Sequence, residues 1–454
     1  MAFHKDESLN RLAEIGNVAQ FVSFGPGGNE NLVQRFCRIS NRAPNEPFES
    51  PRAALEALLT SSVDGSINLR CYTPESPRSH AFHYGIRQLD QAIDLARNLA
   101  ADGLFVITNE TVDVSDGGVS GVLHGEVIEF APDDTPRCVE KPGVVSISCA
   151  RGIDLLTKVY GFVPELVQTR TGRLEFSVHP VRRGWKQSQT LLWEYEDSSA
   201  FPVHAALAWP NRFSRIIGDK AFGLLIADGL GLPVPKTTVI GRRVAPFSFG
   251  RPTGNAEWWT RTCPAEPDPG RFTTTKGWID PFRLLASEDP DGLAITSVLS
   301  QAAVNPEYSG AAIVLADGTL AIEGRPGKGD RLMLGQDKPA NLPPRVIEDV
   351  RAHYTLMSSA MGAVRFEWVH DGHQAWIVQL HVGQTLSSAS QLVPGDPEHW
   401  VEFDATLGLE ALRAELTRLP AGAGLRLLGF VGLTSHIADL IRKANRPARL
   451  VAQD

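Results

Sequence analysis

The stretch at residues 215–240, RIIGDKAFGLLIADGLGLPVPKTTVI, carries the local signals that decide the fold. Gly218 and the closely following Lys220 head a segment whose apolar residues recur every three or four positions, which predicts an amphipathic helix. We expect this helix to end at Gly229-Leu230-Gly231, and the β-branched run after LPVP predicts a strand. A lysine beside a glycine turn at a helix N-terminus can bind a phosphate group together with the free amide N–H groups. The alternative is a surface lysine at an ordinary helix start.

A set of ordered landmarks relates residues 1–200 to residues 211–390, at offsets near 190 residues. Each half has an early arginine, polar residues on the strands that follow it, and a Ser-Gly pair between those strands. The matched positions are Arg70 with Arg261, Glu75 with Glu266, Glu110 with Gln301, Ser120-Gly121 with Ser309-Gly310, Glu175 with Glu367, and Glu194 with Gln379. Landmarks that keep their order at one offset indicate an internal duplication.

Apolar strands alternate with helical stretches such as QLDQAIDLARNLAADG, residues 88–103. This pattern predicts an α+β fold with two related mixed α/β halves, largely antiparallel sheets and a short C-terminal αβ tail. The predicted domains are residues 1–200, residues 211–390 and a tail at 391–454. A linker is expected at 196–212, and the Pro-rich LVPGDPEHW at 392–400 begins the tail.

The composition narrows the classes of function. With 454 residues the chain is expected to form two or three domains, and 43% hydrophobic with 21% charged residues is ordinary for a globular protein. A net charge of −8 argues against nucleic-acid and membrane partners. Five scattered cysteines and the absence of an apolar signal segment predict reduced thiols and a cytoplasmic protein.

The stretch at 215–240 resembles the GGK…LGLPVP opening of the ATP-grasp nucleotide-binding domain found in phosphoenolpyruvate synthase, pyruvate phosphate dikinase and rifampin phosphotransferase. The resemblance continues in order to residue 385 and implies ATP and Mg²⁺ as cofactors. It implies phosphate contacts from Lys220 and Arg261, with Glu266 in the same segment as the arginine, and it assigns Gln301 to the strand beside the adenine pocket. Gly327, Gly329 and Asp330 stand where the family has Gly, Gly and Glu.

The same resemblance implies Glu367 and Gln379 as metal ligands, and elementary chemistry supports the pair. The two residues lie on the adjacent strands of a hairpin, RFEWV-HDGHQ-AWIVQL at 365–380, so both side-chain oxygens can face one ion. Mg²⁺ at nucleotide sites usually takes one or two protein oxygens, with phosphate oxygens and water completing its shell. The alternative is a surface hairpin with a solvated glutamate.

At two positions the sequence departs from the family's residues, and both departures favour the alternative of a catalytically degenerate nucleotide site. Asp219 replaces the family's second glycine and adds a negative charge near the expected phosphates. His381 replaces an arginine, so that a permanent cation becomes a titratable one; we assign His381 a catalytic role in its place.

The first half offers Arg70, Glu110 and Lys141 as nucleotide contacts, with Glu110 placed to accept from an adenine amino group. Lys141 precedes Pro-Gly and is equally well explained as a turn residue. No clear Gly-Lys opening precedes Arg70, since SFGPGGNENLVQRF (23–36) is rich in glycine but lacks the lysine. This half either completes the nucleotide cleft or is a duplicated copy that takes no part in nucleotide binding.

The tail contains GLTSHIADLIRKANRPA at 432–448, which resembles the family's phosphohistidine motif and implies His436 as a phosphate carrier. A histidine at a helix start can take phosphate on a ring nitrogen because the helix dipole favours the dianion. The alternative is a Thr/Ser cap that opens a basic amphipathic helix.

The sequence therefore predicts an ATP- and Mg²⁺-dependent phosphotransferase that binds ATP between ATP-grasp subdomains and passes phosphate to His436 or to a bound small molecule. One alternative is an ATP-grasp carboxylate ligase, and another is a catalytically degenerate nucleotide-binding or sensing protein. The expected partners are a nucleotide and a small-molecule or protein acceptor that the sequence does not identify; it is silent on the oligomeric state.

Overall fold

The computed structural model describes residues 4–27, 32–76, 80–167, 172–196, 204–265 and 272–451. The chain divides into two compact units, Met1–Phe213 (unit 1) and Ser214–Asp454 (unit 2). In the described residues, no helix is long and apolar enough to cross a membrane.

Unit 1 is built from two sheets and the helices that cover them. Its helices are α1 (Lys5–Ile15), α2 (Pro51–Ser61), α3 (Leu89–Ala101) and α4 (Cys149–Tyr160), and α5 (Arg212–Ile217) contains the division between the units. Its strands are β1 (Phe21–Pro26), β2 (Leu32–Arg38), β3 (Ile67–Tyr72), β4 (Ala81–Ile86), β5 (Phe105–Glu110), β6 (Val119–His124), β7 (Val127–Pro132), β8 (Val145–Ser148), β9 (Arg173–Arg183) and β10 (Ser188–Glu196).

The two sheets of unit 1 are antiparallel, with strand orders β2-β1-β5-β3-β4 and β10-β9-β6-β7-β8. Helices α2 and α3 pack on the first sheet and close a core that includes Phe24, Leu55 and Ile93. The α2 helix begins where Ser50 accepts a hydrogen bond from the Ala53 amide and Pro51 occupies the first helical position, a combination that favours helix initiation. Apolar helix faces packed on one side of an antiparallel sheet are typical of α+β folds.

Unit 2 repeats this plan and adds the C-terminal tail. Its helices are α6 (Asp219–Gly229), α7 (Pro281–Glu288), α8 (Asp330–Met333), α9 (Pro344–Met361), α10 (Gly408–Arg418) and α11 (His436–Ala444). Its strands are β11 (Thr237–Gly241), β12 (Phe247–Phe249), β13 (Trp258–Pro264), β14 (Thr274–Lys276), β15 (Ile295–Ala302), β16 (Tyr308–Val314), β17 (Leu320–Pro326), β18 (Val364–His370), β19 (Ala375–Val382), β20 (Gln391–Val393), β21 (His399–Asp404), β22 (Ala423–Leu428) and β23 (Ala448–Leu450).

The sheets of unit 2 have the orders β12-β11-β15-β13-β14 and β17-β16-β18-β19, and their strands pair antiparallel. Position for position, the first order equals that of the first sheet of unit 1. The second order matches the second sheet of unit 1 without a counterpart of β8. The predicted α+β class with two related, largely antiparallel halves is therefore confirmed.

The tail forms a small mixed sheet of its own, in the order β20-β23-β22-β21. Strands β21, β22 and β23 run parallel, and β20 pairs antiparallel with β23. Helices α10 and α11 cover this sheet and share a core that includes Leu412, Leu425 and Ile437. The predicted C-terminal αβ tail is confirmed.

The glycine turn before α6 is required by sterics, as the opening stretch of the sequence predicts. Gly218 has φ of 94°, and a Cβ at this position would lie 2.6 Å from Ser297 Oγ and 2.7 Å from Cys263 Cβ. A larger residue would therefore be strained in its backbone and would collide with β13 and β15. This close approach sets the first turn of α6, and with it Lys220, against the first sheet of unit 2.

Candidate functional site in unit 2

The two predicted metal ligands lie directly opposite each other. In the β18–β19 ladder Glu367 pairs with Gln379, and the register shifts by one residue immediately afterwards, so that Trp368 pairs with Ile377. Directly paired residues of an antiparallel ladder project to the same face of the sheet, with Cβ atoms about 5 Å apart. The prediction that these two side chains share one face of a hairpin agrees with this register.

Two cations approach the same region from other elements. Lys220, in the first turn of α6, donates from Nζ to the carbonyl oxygen of Thr262 at 3.1 Å. Arg261, on β13, donates from Nη1 to the carbonyl oxygen of Val378 at 3.0 Å, while its Nε is buried and has no hydrogen-bond partner. Burial lowers the pKa of Lys220, and the neighbouring Arg261 lowers it further while Glu367 opposes the shift. A buried donor without an acceptor costs free energy unless a ligand satisfies it.

A cavity of about 340 Å³ collects these residues, and we call it the phosphate cavity. Six of the thirteen predicted site residues are in its wall, although they come from segments far apart in the sequence. Its polar lining includes Lys220, Arg261, Glu367, Gln379, His381 and His436. Asp219 is also in the wall, so the extra negative charge noted in the sequence does lie at this site.

A second cavity of about 200 Å³, which we call the side cavity, adjoins the first and shares Trp259, Arg261 and Glu367 with it. Gln301 and Gly329 line this side cavity. Gln301 is 2% exposed, and its amide donates to Thr237 Oγ1 at 3.3 Å. The structure thus divides these predicted residues of unit 2 between two adjoining cavities, and Arg261 and Glu367 line both.

His381 does not supply the cation that the family's arginine would. Burial lowers the pKa of His381 to about 3, and the positive charges of Arg365 and Lys220 lower it in addition. At neutral pH the ring is therefore uncharged. Its Nε2 lies 3.0 Å from Nε2 of Gln379, which fits a neutral ring accepting from the amide. In that arrangement the contact with His381 engages the amide nitrogen of Gln379 and not its amide oxygen.

His436 is the first residue of α11 and lies in the wall of the phosphate cavity. The residues just before it are held by Glu323 on β17. The Leu433 amide donates to Oε1 of Glu323 at 3.0 Å, and the amide and hydroxyl of Thr434 donate to Oε2 at 2.9 and 2.7 Å. Ser435 caps the helix by accepting from the Ala438 amide. The cap predicted for this helix is present, and the histidine also faces the cavity.

Two further charged residues of the cavity were missed in the sequence. Arg365 lies two residues before Glu367, and Asp439 lies three residues after His436, so strand and helix spacing could have found them. Arg365 Nη1 is 2.8 Å from Asp439 Oδ1, and Arg442 Nη1 is 2.9 Å from the same oxygen. This network ties α11 to β18 beside the phosphate cavity.

The remaining predicted residues lie elsewhere. Glu266 is outside the described residues. Gly327 has φ of 71° and its carbonyl oxygen accepts from Ser309 Oγ at 2.6 Å, and it is not in the wall of either cavity.

Glu110, in unit 1, does not match its predicted role. Its carboxylate accepts from the Gln20 amide at 2.8 Å, from Gln20 Nε2 at 3.0 Å and from the Gly184 amide at 2.9 Å, and the side chain is fully buried. The matched arginines fix the correspondence of the two strands, because Arg70 pairs with Ile107 on β5 and Arg261 pairs with Leu299 on β15. Gln301 lies two residues after Leu299, so its counterpart in unit 1 is Asn109, two residues after Ile107, and not Glu110. A shift of one residue moves a side chain to the other face of a sheet, which explains the mismatch.

Lys141, also in unit 1, follows the short 3-10 turn Pro136–Glu140 and is engaged by a carboxylate. Its Nζ lies 2.8 Å from Asp134 Oδ2, and its side chain is 57% exposed. The same carboxylate binds Arg212 Nη1 at 2.7 Å. The turn explanation of Lys141 therefore fits the structure better than a nucleotide contact.

A metal ion at Glu367 and Gln379 would need ligands from outside the protein. The described residues contain no group of three or more histidine, cysteine, aspartate or glutamate side chains that could hold a metal. One carboxylate and one amide oxygen suit Mg²⁺ only where phosphate oxygens and water complete its shell. The donor set therefore fits an ion that arrives with a phosphate ligand.

Neither protein-family models nor curated proteins match this sequence. Among solved structures, the chain is similar to the D-alanine–D-alanine ligase of Helicobacter pylori, with 11% sequence identity and a TM-score of 0.25. The alignment covers 38% of this chain and 53% of the ligase, so the chain spans about half of the ligase's length. At that TM-score the likeness carries no argument about activity, and the dikinase family has no support beyond the motifs of the sequence.

Proposed function

We propose that unit 2 binds a nucleoside triphosphate together with Mg²⁺ and transfers a phosphoryl group, in the manner of the ATP-grasp enzymes that its motifs resemble. The observation that carries the proposal is the buried, unpartnered Nε of Arg261 at the junction of the two cavities, with Lys220 and Glu367 beside it. A phosphate oxygen would satisfy this donor, and guanidinium groups bind phosphate with good geometry.

The lining of the two cavities supports a division of roles. Lys220 and Arg261 would hold phosphate oxygens in the phosphate cavity, and Glu367 with Gln379 would hold the ion. The side cavity, with Trp259 and Gln301 in its wall, would take the base. When bound, Mg²⁺ would neutralise charge on the phosphate oxygens. Placement of cations around the phosphates is most of what phosphoryl transfer asks of a protein.

The first candidate acceptor is His436, because it lies in the wall of the same cavity as the two cations. In this reaction the imidazole lone pair attacks the terminal phosphorus, a P–N bond forms, and the P–O bond to the nucleoside diphosphate breaks. Lys220 and Arg261 would offset the charge on the oxygens during transfer. The neutral His381 would orient the Gln379 amide without taking part in the bond changes.

The second candidate is a carboxylate ligase, and the fixation of the tail favours it. The Glu323 hydrogen bonds and the Arg365–Asp439–Arg442 network hold the start of α11 in place. A carrier histidine has to move between donor and acceptor, whereas a carboxylate bound in the cavity receives phosphate without any movement of the tail. A carboxylate oxygen would attack the terminal phosphorus, and the P–O bond to the nucleoside diphosphate would break, which gives an acyl phosphate. An amine would then attack the acyl carbon, and the C–O bond to phosphate would break with release of inorganic phosphate.

Calorimetric titration of the full chain with ATP and MgCl₂ tests the binding site. We expect binding that Arg261→Met weakens, and no binding at millimolar ATP would exclude both enzyme candidates. Binding without ATP consumption under any acceptor condition would support the degenerate, nucleotide-sensing alternative.

Incubation with γ- or β-labelled ATP separates the two acceptors. Acid-labile label on the protein that is lost in His436→Ala supports the histidine, and His399→Ala is the matched control because His399 is exposed on β21. Consumption of ATP without labelled protein, stimulated by carboxylates and amines, supports the ligase.

A further inference from the structure

Unit 1 carries an arginine in the same structural position as Arg261. Strands β3 and β13 occupy the same place in their sheets, and Arg70 pairs with Ile107 on β5 as Arg261 pairs with Leu299 on β15. Both arginines have a buried Nε without a hydrogen-bond partner. Burial lowers the pKa of Arg70, and Glu194 and Glu175 lie close enough to oppose that shift. A charged group is rarely kept in such surroundings without a ligand or a partner.

The second sheet of unit 1 also repeats the pair of directly opposite residues that unit 2 has on its second sheet. Glu194 pairs with Glu175 across β10 and β9, as Gln379 pairs with Glu367 across β19 and β18. In both ladders one residue of the edge strand, Trp193 or Val378, is left out of the register beside the pair. A bulge at the same position in both units aims the two side chains in the same way.

Unit 1 also has a lysine that corresponds to Lys220, although no Gly-Lys motif marks it in the sequence. Lys5 lies in the first turn of α1, which precedes β1 and packs on β10, as α6 precedes β11 and packs on β19. Burial lowers the pKa of Lys5, the charge of Arg70 lowers it further, and Glu194 raises it. Lys220 likewise has an arginine, Arg261, and a glutamate, Glu367, as neighbours, although Glu367 corresponds to Glu175 and not to Glu194.

The two units differ in charge at two corresponding positions of their edge strands. Glu194 and Glu196 on β10 occupy the positions that Gln379 and His381 occupy on β19. Unit 1 thus has three carboxylates at these positions, those of Glu175, Glu194 and Glu196, where unit 2 has the carboxylate of Glu367 and the neutral groups of Gln379 and His381. Arg173 Nη1 lies 2.6 Å from Glu175 Oε1, and Glu194 lies directly opposite Glu175 in the ladder. Such a pair favours a bound divalent cation between its oxygens.

We propose that unit 1 contains a second site for a nucleoside polyphosphate with a divalent cation, in which Lys5 and Arg70 bind phosphate oxygens and Glu175 and Glu194 hold the ion. The ligand class rests on the function proposed for unit 2, whereas the site itself rests on the residues of unit 1. Because of its additional carboxylates, binding in unit 1 depends more steeply on the divalent cation than binding in unit 2.

The number of ATP molecules bound by the full chain in the presence of MgCl₂ tests this proposal. Equilibrium dialysis with labelled ATP is expected to give two sites for the unaltered protein, one for Lys220→Met/Arg261→Met and one for Lys5→Met/Arg70→Met. The control is Arg97→Ala, an exposed position on α3, which is expected to keep both sites. Thermal unfolding of each variant identifies any that fail to fold.

The failures of the two proposals are distinguishable. A single site that is lost in Lys220→Met/Arg261→Met overturns the site in unit 1 and leaves the proposed function of unit 2 intact. A single site that is lost only in Lys5→Met/Arg70→Met supports unit 1 and overturns the function of unit 2. Absence of binding to the unaltered protein overturns both.

A variant that preserves side-chain size gives an independent test. Glu194→Gln introduces the residue type that unit 2 has at this position. The variant is made in the Lys220→Met/Arg261→Met background, in which only unit 1 is expected to bind ATP. There we expect the affinity for ATP to depend less steeply on the MgCl₂ concentration. An unchanged dependence in that background would contradict the assignment of Glu194 to the ion.

Discussion

Strands β10 of unit 1 and β19 of unit 2 occupy the same place in their sheets but carry different charges. At two positions in register, unit 1 has Glu194 and Glu196 where unit 2 has Gln379 and His381. The lysine, the arginine and the first glutamate are kept in both units. The two units therefore share the groups that suit phosphate and differ in the groups that set the charge around it. In our interpretation, this difference gives two sites at which ligand binding depends to different degrees on a divalent cation.

The largest effect is expected from substitution of the arginine that both units share. Arg261→Met removes the charge-assisted hydrogen bonds that we propose between the guanidinium and phosphate oxygens. Such bonds contribute about 1.5–3 kcal/mol, so binding of ATP to unit 2 is expected to weaken by roughly 10- to 150-fold. Arg70→Met is expected to leave that binding unchanged. Titration of both variants with ATP and MgCl₂ measures the effect, and equal losses would show that the two units do not bind separately.

The second effect concerns His381, the neutral counterpart of Glu196. The folded pKa of about 3 lies below the ordinary value of 6.5, so the unfolded chain binds the proton more tightly. Stability from this group is present above the ordinary value and is lost as the pH falls from there toward the folded value. At pH 5 the loss is about 2 kcal/mol.

Urea unfolding at pH 7 and pH 5 checks this effect. The free energy of unfolding of His381→Gln is expected to fall less between the two pH values than that of the unaltered protein. His399→Gln, at an exposed position, is the control and is expected to behave like the unaltered protein. Identical pH dependence in all three would show that the pKa of His381 is not lowered by folding, which would contradict the prediction.

A third effect concerns the tail, which belongs to unit 2. Glu323→Gln removes the charge that accepts three hydrogen bonds from Leu433 and Thr434, and we expect a loss of about 1–2 kcal/mol in the stability of the docked tail. Hydrogen exchange at the start of α11 measures it. Faster exchange there, without a change in β6 or β9, is expected, whereas uniform faster exchange would indicate general unfolding.

The smallest effect concerns Glu194, which is exposed. Burial of part of its side chain raises the pKa of Glu194, and the charge of Glu175 raises it further. Because the folded state then binds the proton more tightly, this group favours folding at low pH, and the contribution declines as the pH rises from the ordinary value through the folded one. Glu194→Gln is expected to reduce that decline between pH 4 and pH 7, measured by urea unfolding. A steeper decline in the variant would contradict the assigned direction.

Much of the candidate site follows from local sequence. Lys220 was predictable because a glycine turn and an amphipathic helix mark it within a few residues. Glu367 and Gln379 were predictable because a short hairpin leaves little freedom in their pairing. Lys5 was missed because its position depends on α1 packing on β10, which lies more than 180 residues later in the chain. Glu110 was matched wrongly because the loops of the two halves differ in length, and the register of a strand cannot be counted across them.

The sequence by itself determined the α+β class, the duplication, the glycine turn before Lys220 and the residue types able to bind phosphate and Mg²⁺. These depend on periodicity and on side-chain chemistry, which are local properties. The tertiary structure alone decided which of these residues share a cavity, that Lys5 corresponds to Lys220, and that His381 is uncharged at neutral pH. The physical reason is that burial and strand register arise from contacts between distant segments, and the desolvation of a histidine or an arginine depends on those contacts and not on its neighbours in the chain.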